Sequence, residues 1–314
     1  MGHVPVLLEE TIRWLDPKPG GVYVDATLGG GGHAEAILER IAPDGRLIGM
    51  DRDDDAAAEA SQRLQRFGEA AVIVRENFTA IKEVLHSLGL AQVDGILFDL
   101  GASSMQFEDA DRGFSFAAAG PLDMRMDRRQ HLTAGELINR RPEEELAGLI
   151  WRYGEERWSR RIARAIVRAR PLSTTTALAE AVAGAIPRRS WPRGIHPATR
   201  TFQALRIAVN DELLNLENAI PVAAEALREA GRLCAITFHS LEDRTVKHTF
   251  LRLSRGCTSP PGTSASNSHE RRRLRILTKK PITPSADEVA RNPRARSAKL
   301  RAAERLQEAE ELES

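Results

Sequence analysis

Four consecutive glycines, Gly29-Gly30-Gly31-Gly32, stand between Asp25-Ala26-Thr27-Leu28 and His33. Glycines where a strand passes into a helix let backbone N–H groups close on an anionic or carboxylate group at the helix N-terminus. Asp51 closes the next apolar run and is placed to accept hydrogen bonds from ribose hydroxyls. A P-loop would need Gly-Lys-Ser/Thr after the glycines, and His33-Ala34 stands there instead. A dinucleotide remains open, because Gly29-x-Gly31-x-x-Ala34 fits its loose pattern. The carboxylate of Asp25 tilts the choice, since an acid before the glycines repels pyrophosphate yet suits the ammonium and sulfonium of S-adenosylmethionine. Phe78 has two readings, a ring stacked on adenine or a core residue opening a helix.

These residues need a scaffold, and the first hundred positions supply one. Apolar runs at 22–25, 47–51, 71–75 and 93–99 alternate with helix patterns at 33–41, 55–67 and 78–88. That order predicts an α/β fold, a doubly wound and mostly parallel sheet with ligands at the carboxyl ends of its strands. After Asp99 the alternation stops. Helix patterns cover 133–139, 143–153, 158–170, 176–185, 200–219 and 222–229, and strand character returns only at 233–238. The reading is an inserted, mostly helical domain at 108–205 within an α/β domain of 1–107 and 206–314. Residues 258–269 read as a Pro/Ser/Gly-rich loop, and the end from Arg291 as a basic segment passing into an acidic, helix-like tail.

Charge divides along the same lines. Residues 1–124 carry 10 basic and 21 acidic side chains, whereas residues 125–206 carry 17 and 8. An acidic front and a basic middle point to a polyanion contacting the later part, with an Arg-rich solvated helix face as the plain alternative. Two cysteines, Cys234 and Cys257, form neither a disulfide framework nor a CxxC pair. The eight histidines give no HExxH and no Cys/His cluster, so no metal is expected. With no long apolar run and no leader pattern, a soluble cytoplasmic protein without membrane contact is expected.

Several motifs resemble one family. They are HVPVLL at 3–8, DATLGGGGH at 25–33, Asp99-Leu100-Gly101 with Ser103, Ser104 and Gln106, and GPLDMRMD at 120–127. YGEER at 153–157, HPATRTFQALRI at 196–207, FHSLEDR at 238–244 and NPRARSAKLRAAER at 292–305 complete the set. In this order they are similar to the RsmH (MraW) family of bacterial 16S rRNA cytosine-N4 methyltransferases, from the N-terminus to about Leu306. The resemblance implies a class I, Rossmann-like methyltransferase fold with an inserted helical domain. It implies S-adenosylmethionine as cofactor, and 16S rRNA as partner, in the small ribosomal subunit or its precursor. The implied target is the N4 amine of the cytidine at position 1402 in rRNA numbering. The family's cofactor positions fall here on Gly31, Gly32, His33, Asp51, Phe78, Asp99 and Gln106, beside Asp25. Thr237 stands before FHSLED where Ser is expected.

Methylating that amine is a displacement at a sulfonium methyl group, slowed because the nitrogen lone pair is delocalised into the ring. Gripping the amine's N–H groups and aligning it with the C–S bond would help. Many amino-methyltransferases place an Asp/Asn/Ser-Pro-Pro-aromatic motif after the fourth strand. Asp99-Leu100-Gly101-Ala102-Ser103-Ser104 holds that position without the prolines or the aromatic, which leaves the proton acceptor open. Asp99, Ser103, Ser104 and His239 are the candidate catalytic residues, with Phe238 and Ser240 facing the base. For Asp99 the alternative is cofactor binding alone, and for His239 and Ser240 a strand-end hydrogen-bond network. Carbon-5 methylation would need a cysteine nucleophile, and there is no Pro-Cys pair.

For the RNA, Arg160, Arg161, Arg164 and Arg168 recur at helical spacing between apolar residues, a candidate phosphate-binding face. Arg188, Arg189 and Arg193 surround Trp191, a basic patch with an aromatic suited to single-stranded RNA. Arg271–Arg273 and Arg294–Lys299 could form a third patch. Arg200 and Gln203 are expected near the join of the two domains, reading the base edge or fixing a hinge.

Overall fold

The computed structural model describes residues 5–255 and 272–307. The expectations for His3 and Val4, Cys257, the loop at 258–269, Arg271 and the acidic tail lie outside the described residues. Two compact units emerge, one formed by Met1–Gly101 with Leu213–Ser314 and the other by Ala102–Glu212.

The first unit opens with α1 (Leu8–Leu15), then alternates β1 (Val22–Asp25), α2 (Gly32–Ile41), β2 (Arg46–Met50), α3 (Asp54–Leu64), β3 (Ala71–Val74), α4 (Ile81–Ser87) and β4 (Val93–Asp99). The second unit contributes α5 (Ser104–Glu108), α6 (Ala134–Arg140), α7 (Glu143–Gly154), α8 (Ser159–Arg168), α9 (Thr175–Ala185) and α10 (Thr199–Asn210). The chain returns to the first unit through α11 (Glu212–Ala226), β5 (Leu227–Thr237), α12 (Ser240–Arg255), β6 (Leu274–Ile276), α13 (Ala286–Arg291) and β7 (Lys299–Arg305).

The strands form one seven-stranded sheet ordered β3-β2-β1-β4-β5-β7-β6. The first five run parallel, while β7 pairs antiparallel with β5 and β6. This is the Rossmann-like class I arrangement. Alternation along the strands builds two cores, one on each face. Val24, Ile48, Ile96, Phe98 and Leu233 join one cluster, and Tyr23, Leu47, Leu97, Cys234 and Ile236 the other. The helical unit has a core of its own, centred on Leu146, Ile150, Ile162, Ile166, Leu178 and Leu205.

Three sequence expectations are corrected. The helix expected at 200–219 breaks at Asp211, whose left-handed φ of 49° caps α10 before α11 begins. An aspartate tolerates that conformation better than most residues, a signal that apolar periodicity does not carry. The helix expected at 222–229 is the end of α11, which stops at Ala226. Leu227 already pairs with Val93, and pairing resumes at Arg232 beyond an irregular excursion. The basic segment after Arg291 follows α13 and contains the strand β7, which lies inside the sheet. α10 runs whole from Thr199 to Asn210 within the second unit. No helix among the described residues is long and apolar enough to cross a membrane.

Candidate functional site

Strand order reverses beside β1, since β2 lies on one side of it and β4 on the other. Such a switch point leaves a crevice at the strands' carboxyl ends. Asp25 ends β1, Asp51 follows β2 and Asp99 ends β4. Asp25 is 1% exposed, and its Oδ1 accepts from the Thr27 N–H at 3.3 Å. Burial pushes its carboxyl up to about 7. Burial raises Asp51 too, against hydrogen bonds from the backbone N–H groups of Asp53 and Gly29. Asp99 rises well above the carboxylate range, first through burial and then through the charges of Asp25 and Glu242. Its Oδ1 is buried without a hydrogen-bond partner among the described residues.

The glycine turn ties these acids together. The Gly29 N–H donates to Asp51 Oδ2 at 2.8 Å, and the Asp99 N–H donates to Thr27 Oγ1 at 2.5 Å. Gly31 caps α2 in the left-handed region (φ 79°), and a Cβ on Gly32 would lie 2.4 Å from Pro5 Cγ. His33, 4% exposed in the first turn of α2, brings Nε2 to 3.6 Å from Asp99 Oδ2. Phe78 packs edge-on against Phe98 at 5.5 Å within the core. Three acids raised by burial would be relieved by a cation. A pyrophosphate would make their ionised forms worse. The arrangement therefore fits the ammonium and sulfonium of S-adenosylmethionine and not a dinucleotide.

The FHSLED motif makes the junction from β5 to α12. Buried Glu242 accepts from the Phe238 N–H at 2.7 Å and the His239 N–H at 3.3 Å. His239 Nδ1 accepts from the Glu242 N–H at 3.3 Å, and its Nε2 lies 3.1 Å from Glu242 Oε1. The ring is thus engaged by its own helix start. Phe238 approaches Gly101, where a Cβ would meet the ring at 3.4 Å, and Ser240 is exposed. Asp243 accepts from Arg301 Nε at 2.7 Å and Lys299 Nζ at 3.2 Å, contacts that hold its carboxyl below its usual range. Lys299 and Arg273, paired with Asp243 and Glu225, brace the fold, while Arg294 and Arg296 of the expected third basic patch are exposed.

In the helical unit, Ser103 and Gln106 form a capping box on α5. The Ser103 hydroxyl accepts from the Gln106 N–H, and Gln106 Oε1 accepts from the Ser103 N–H. Ser104 is the first residue of that helix. The GPLDMRMD segment turns through Met124 (φ 60°) and is held by buried Asn210, which donates to the Met124 carbonyl and accepts from the Met126 N–H. Buried Arg112 donates to the Arg125 and Met126 carbonyls. Neither Arg112 nor Asn210 was singled out from the sequence, because neither charge nor periodicity marks a buried loop brace.

Arg200 and Gln203 join α10 to the end of α7, donating to the Glu155 and Tyr153 carbonyls. Gly154 is where the helices touch, for a Cβ there would lie 2.7 Å from the Arg200 carbonyl oxygen. Gly154→Ala is expected to destabilise the protein by about 1–3 kcal/mol through overpacking. A fall in the melting temperature checks this, and an unchanged one would show that the helices can separate freely.

Arg160, Arg161, Arg164 and Arg168 are all exposed or half-buried along α8, with Ile162, Ala163 and Ile166 buried beneath. Arg164 meets Glu143 at 3.4 Å. Trp191 has partners within its own unit. Its Nε1 donates to the Ile186 carbonyl at 3.1 Å, Arg188 covers its ring at 4.5 Å, and it packs against the helical core. The ring remains partly exposed.

Residues 1–306 match the family model described as the MraW methylase family. The Ribosomal RNA small subunit methyltransferase H of Heliobacterium mobile is 50% identical over 308 residues, covering 97% of this chain and 99% of that one. The protein of the same name from Symbiobacterium thermophilum is 52% identical over 312 residues, with 98% of each covered. That of Geobacter sulfurreducens is 54% identical over 307 residues, covering 97% and 99%.

Proposed function

The chain belongs to the MraW methylase family, and from that premise we propose that it methylates the exocyclic N4 amine of a cytidine, position 1402, in 16S rRNA. S-adenosylmethionine is its methyl donor, and ribosomal RNA of the small subunit is its substrate class. The observation that carries the reading is the set of acids around the glycine turn at the switch point, buried Asp25 and half-buried Asp51 and Asp99. When bound, the cofactor supplies a methyl group on a sulfonium, open to displacement.

Asp25 holds the ammonium, Asp51 the ribose hydroxyls, and Gly31, Gly32 and His33 line the turn. With cationic charge in the site, Asp99 ionises, and its unpartnered Oδ1 grips the amine's N–H. The nitrogen would take up the methyl group that the cofactor supplies, and Asp99 would accept the proton the amine gives up. His239 and Glu242 keep Phe238 and Ser240 in place beside the base. Carbon-5 chemistry lacks a nucleophile among the described residues. Cys234 is buried in β5 with its thiol pushed up to about 12, far from a reactive thiolate.

The helical unit is assigned to the RNA, with Arg161 and Arg164 on its basic face. Replacing both by Ala is expected to weaken RNA binding uniformly across sequences and to lower the salt slope by about one per lost phosphate contact. Cofactor affinity should be unchanged. Titrating RNA over a range of salt concentrations checks this, and an unaltered slope would make these arginines a merely solvated face. The cofactor assignment is tested by comparing binding of S-adenosylmethionine with that of a nicotinamide dinucleotide. Comparable affinities would refute the role given to the three acids.

A further inference from the structure

The geometry points to a second RNA contact on the helical unit: Trp151, on the outward face of α7, stacks on an unpaired base, and Arg152 and Arg200 take the neighbouring phosphates. This rests on the reading of the substrate as RNA. α7 buries Leu146, Ala147, Ile150 and Gly154 and turns Glu144, Gly148, Trp151 and Arg152 to solvent. Trp151 remains 61% exposed, whereas Trp158 and Trp191 pack on the helical core and Trp14 on the sheet's core.

A second observation concerns the space beside it. Gly148, one turn earlier on the same face, has nothing within 4 Å of where a Cβ would stand. Glycine inside a helix weakens it relative to alanine, and here no packing neighbour demands it. What it leaves is a bare shelf next to the indole, open to a flat ring. The charge nearby is guanidinium. Arg152 follows Trp151 directly and is exposed, and Arg200 bonds the carbonyl of Glu155, whose own N–H donates to the Trp151 carbonyl. Glu156, the buried acid at this turn, already lies 3.9 Å from Arg200. All 17 basic residues of 125–206 are arginines, the side chain suited both to phosphate and to stacking. Glu144 and Glu155 stand close by, so stacking rather than charge must supply most of Trp151's contribution. Base stacking on an aromatic side chain is sequence-tolerant and requires an unpaired strand.

The test measures binding of the full chain to a labelled single-stranded RNA oligonucleotide and to a blunt RNA duplex, for the parent, Trp151→Ala and Trp151→Phe. The alanine variant is expected to bind the single strand about tenfold more weakly. The phenylalanine variant should recover most of that loss, and duplex binding and melting temperature should stay as in the parent. Equal single-strand affinity of Trp151→Ala and the parent overturns the inference. So does normal RNA binding by Trp151→Ala with methyl transfer lost only on assembled subunits, because the occupant of the shelf would then be a protein. A parent that binds S-adenosylmethionine but no RNA would instead refute the RNA reading itself.

Discussion

Asp99→Asn is expected to lower the rate constant of methyl transfer by about 10²–10³-fold, the scale of losing one oriented charge-stabilising group. Cofactor affinity should change much less. Asparagine keeps the shape of the side chain, but it cannot take a proton and cannot carry the charge that draws electron density onto the amine. The structure motivates this through the buried, unpartnered Oδ1 and through the raised carboxyl pKa. Because Asp99 must be ionised to act, the parent's rate should rise with pH until Asp99 is fully charged. The variant should lose that rise. Single-turnover rates and equilibrium cofactor binding, measured side by side over pH, separate the possibilities. Equal losses in rate and affinity would reduce Asp99 to a cofactor ligand.

Asp25→Asn carries the second large effect, a loss of about 10–100-fold in S-adenosylmethionine affinity at neutral pH, the range for a hydrogen bond to a charged group. The pH dependence follows from the carboxyl's rise from 3.8 to about 7. Cation binding favours the ionised form, so parent affinity should climb by up to about tenfold per pH unit below 7 and level off above it. The Asp25→Asn variant should lack that carboxyl's share of the dependence. The stability of the cofactor-free protein moves the other way. A carboxyl whose folded pKa is raised stabilises the fold below its unfolded pKa, and that stability is lost as pH rises through about 7. The cofactor-free variant should therefore match or exceed the parent's melting temperature in mild alkali. Calorimetric titration and thermal unfolding across neutral pH check both, and a pH-independent parent affinity would contradict the role of Asp25.

The parts legible in the sequence were those whose local pattern and burial agree. β1, β2, β3 and β4 are apolar runs ending at Asp or at turn residues, and the glycine turn sits where strand becomes helix. β7 was not legible, because Lys-Leu-Arg-Ala-Ala-Glu-Arg holds a single large apolar side chain. Its two buried charges are paired: Arg301 on Asp243, and Glu304 opposite both Arg232 on β5 and Arg275 on β6. Such charges read as a solvated tail until the sheet supplies their partners. The surroundings of the aromatic side chains are not legible for a similar reason. Trp191 sits among arginines in the sequence, but its indole N–H finds a carbonyl five residues back, while Trp151 looks like one more apolar position of a helix. The spacing of Ser103 and Gln106 shows the opposite case, a motif whose local reason is a capping box whatever else the pair does.

The reaction itself is the measurement to make. Small ribosomal subunits from cells lacking this gene would be incubated with the protein and methyl-labelled S-adenosylmethionine, and their RNA digested to nucleosides and separated. Label in N4-methylcytidine is the predicted result, and it should disappear with Asp99→Asn. Label in 5-methylcytidine, or no transfer to subunits or free RNA despite tight cofactor binding, would contradict the assignment of the N4 amine as the methyl acceptor.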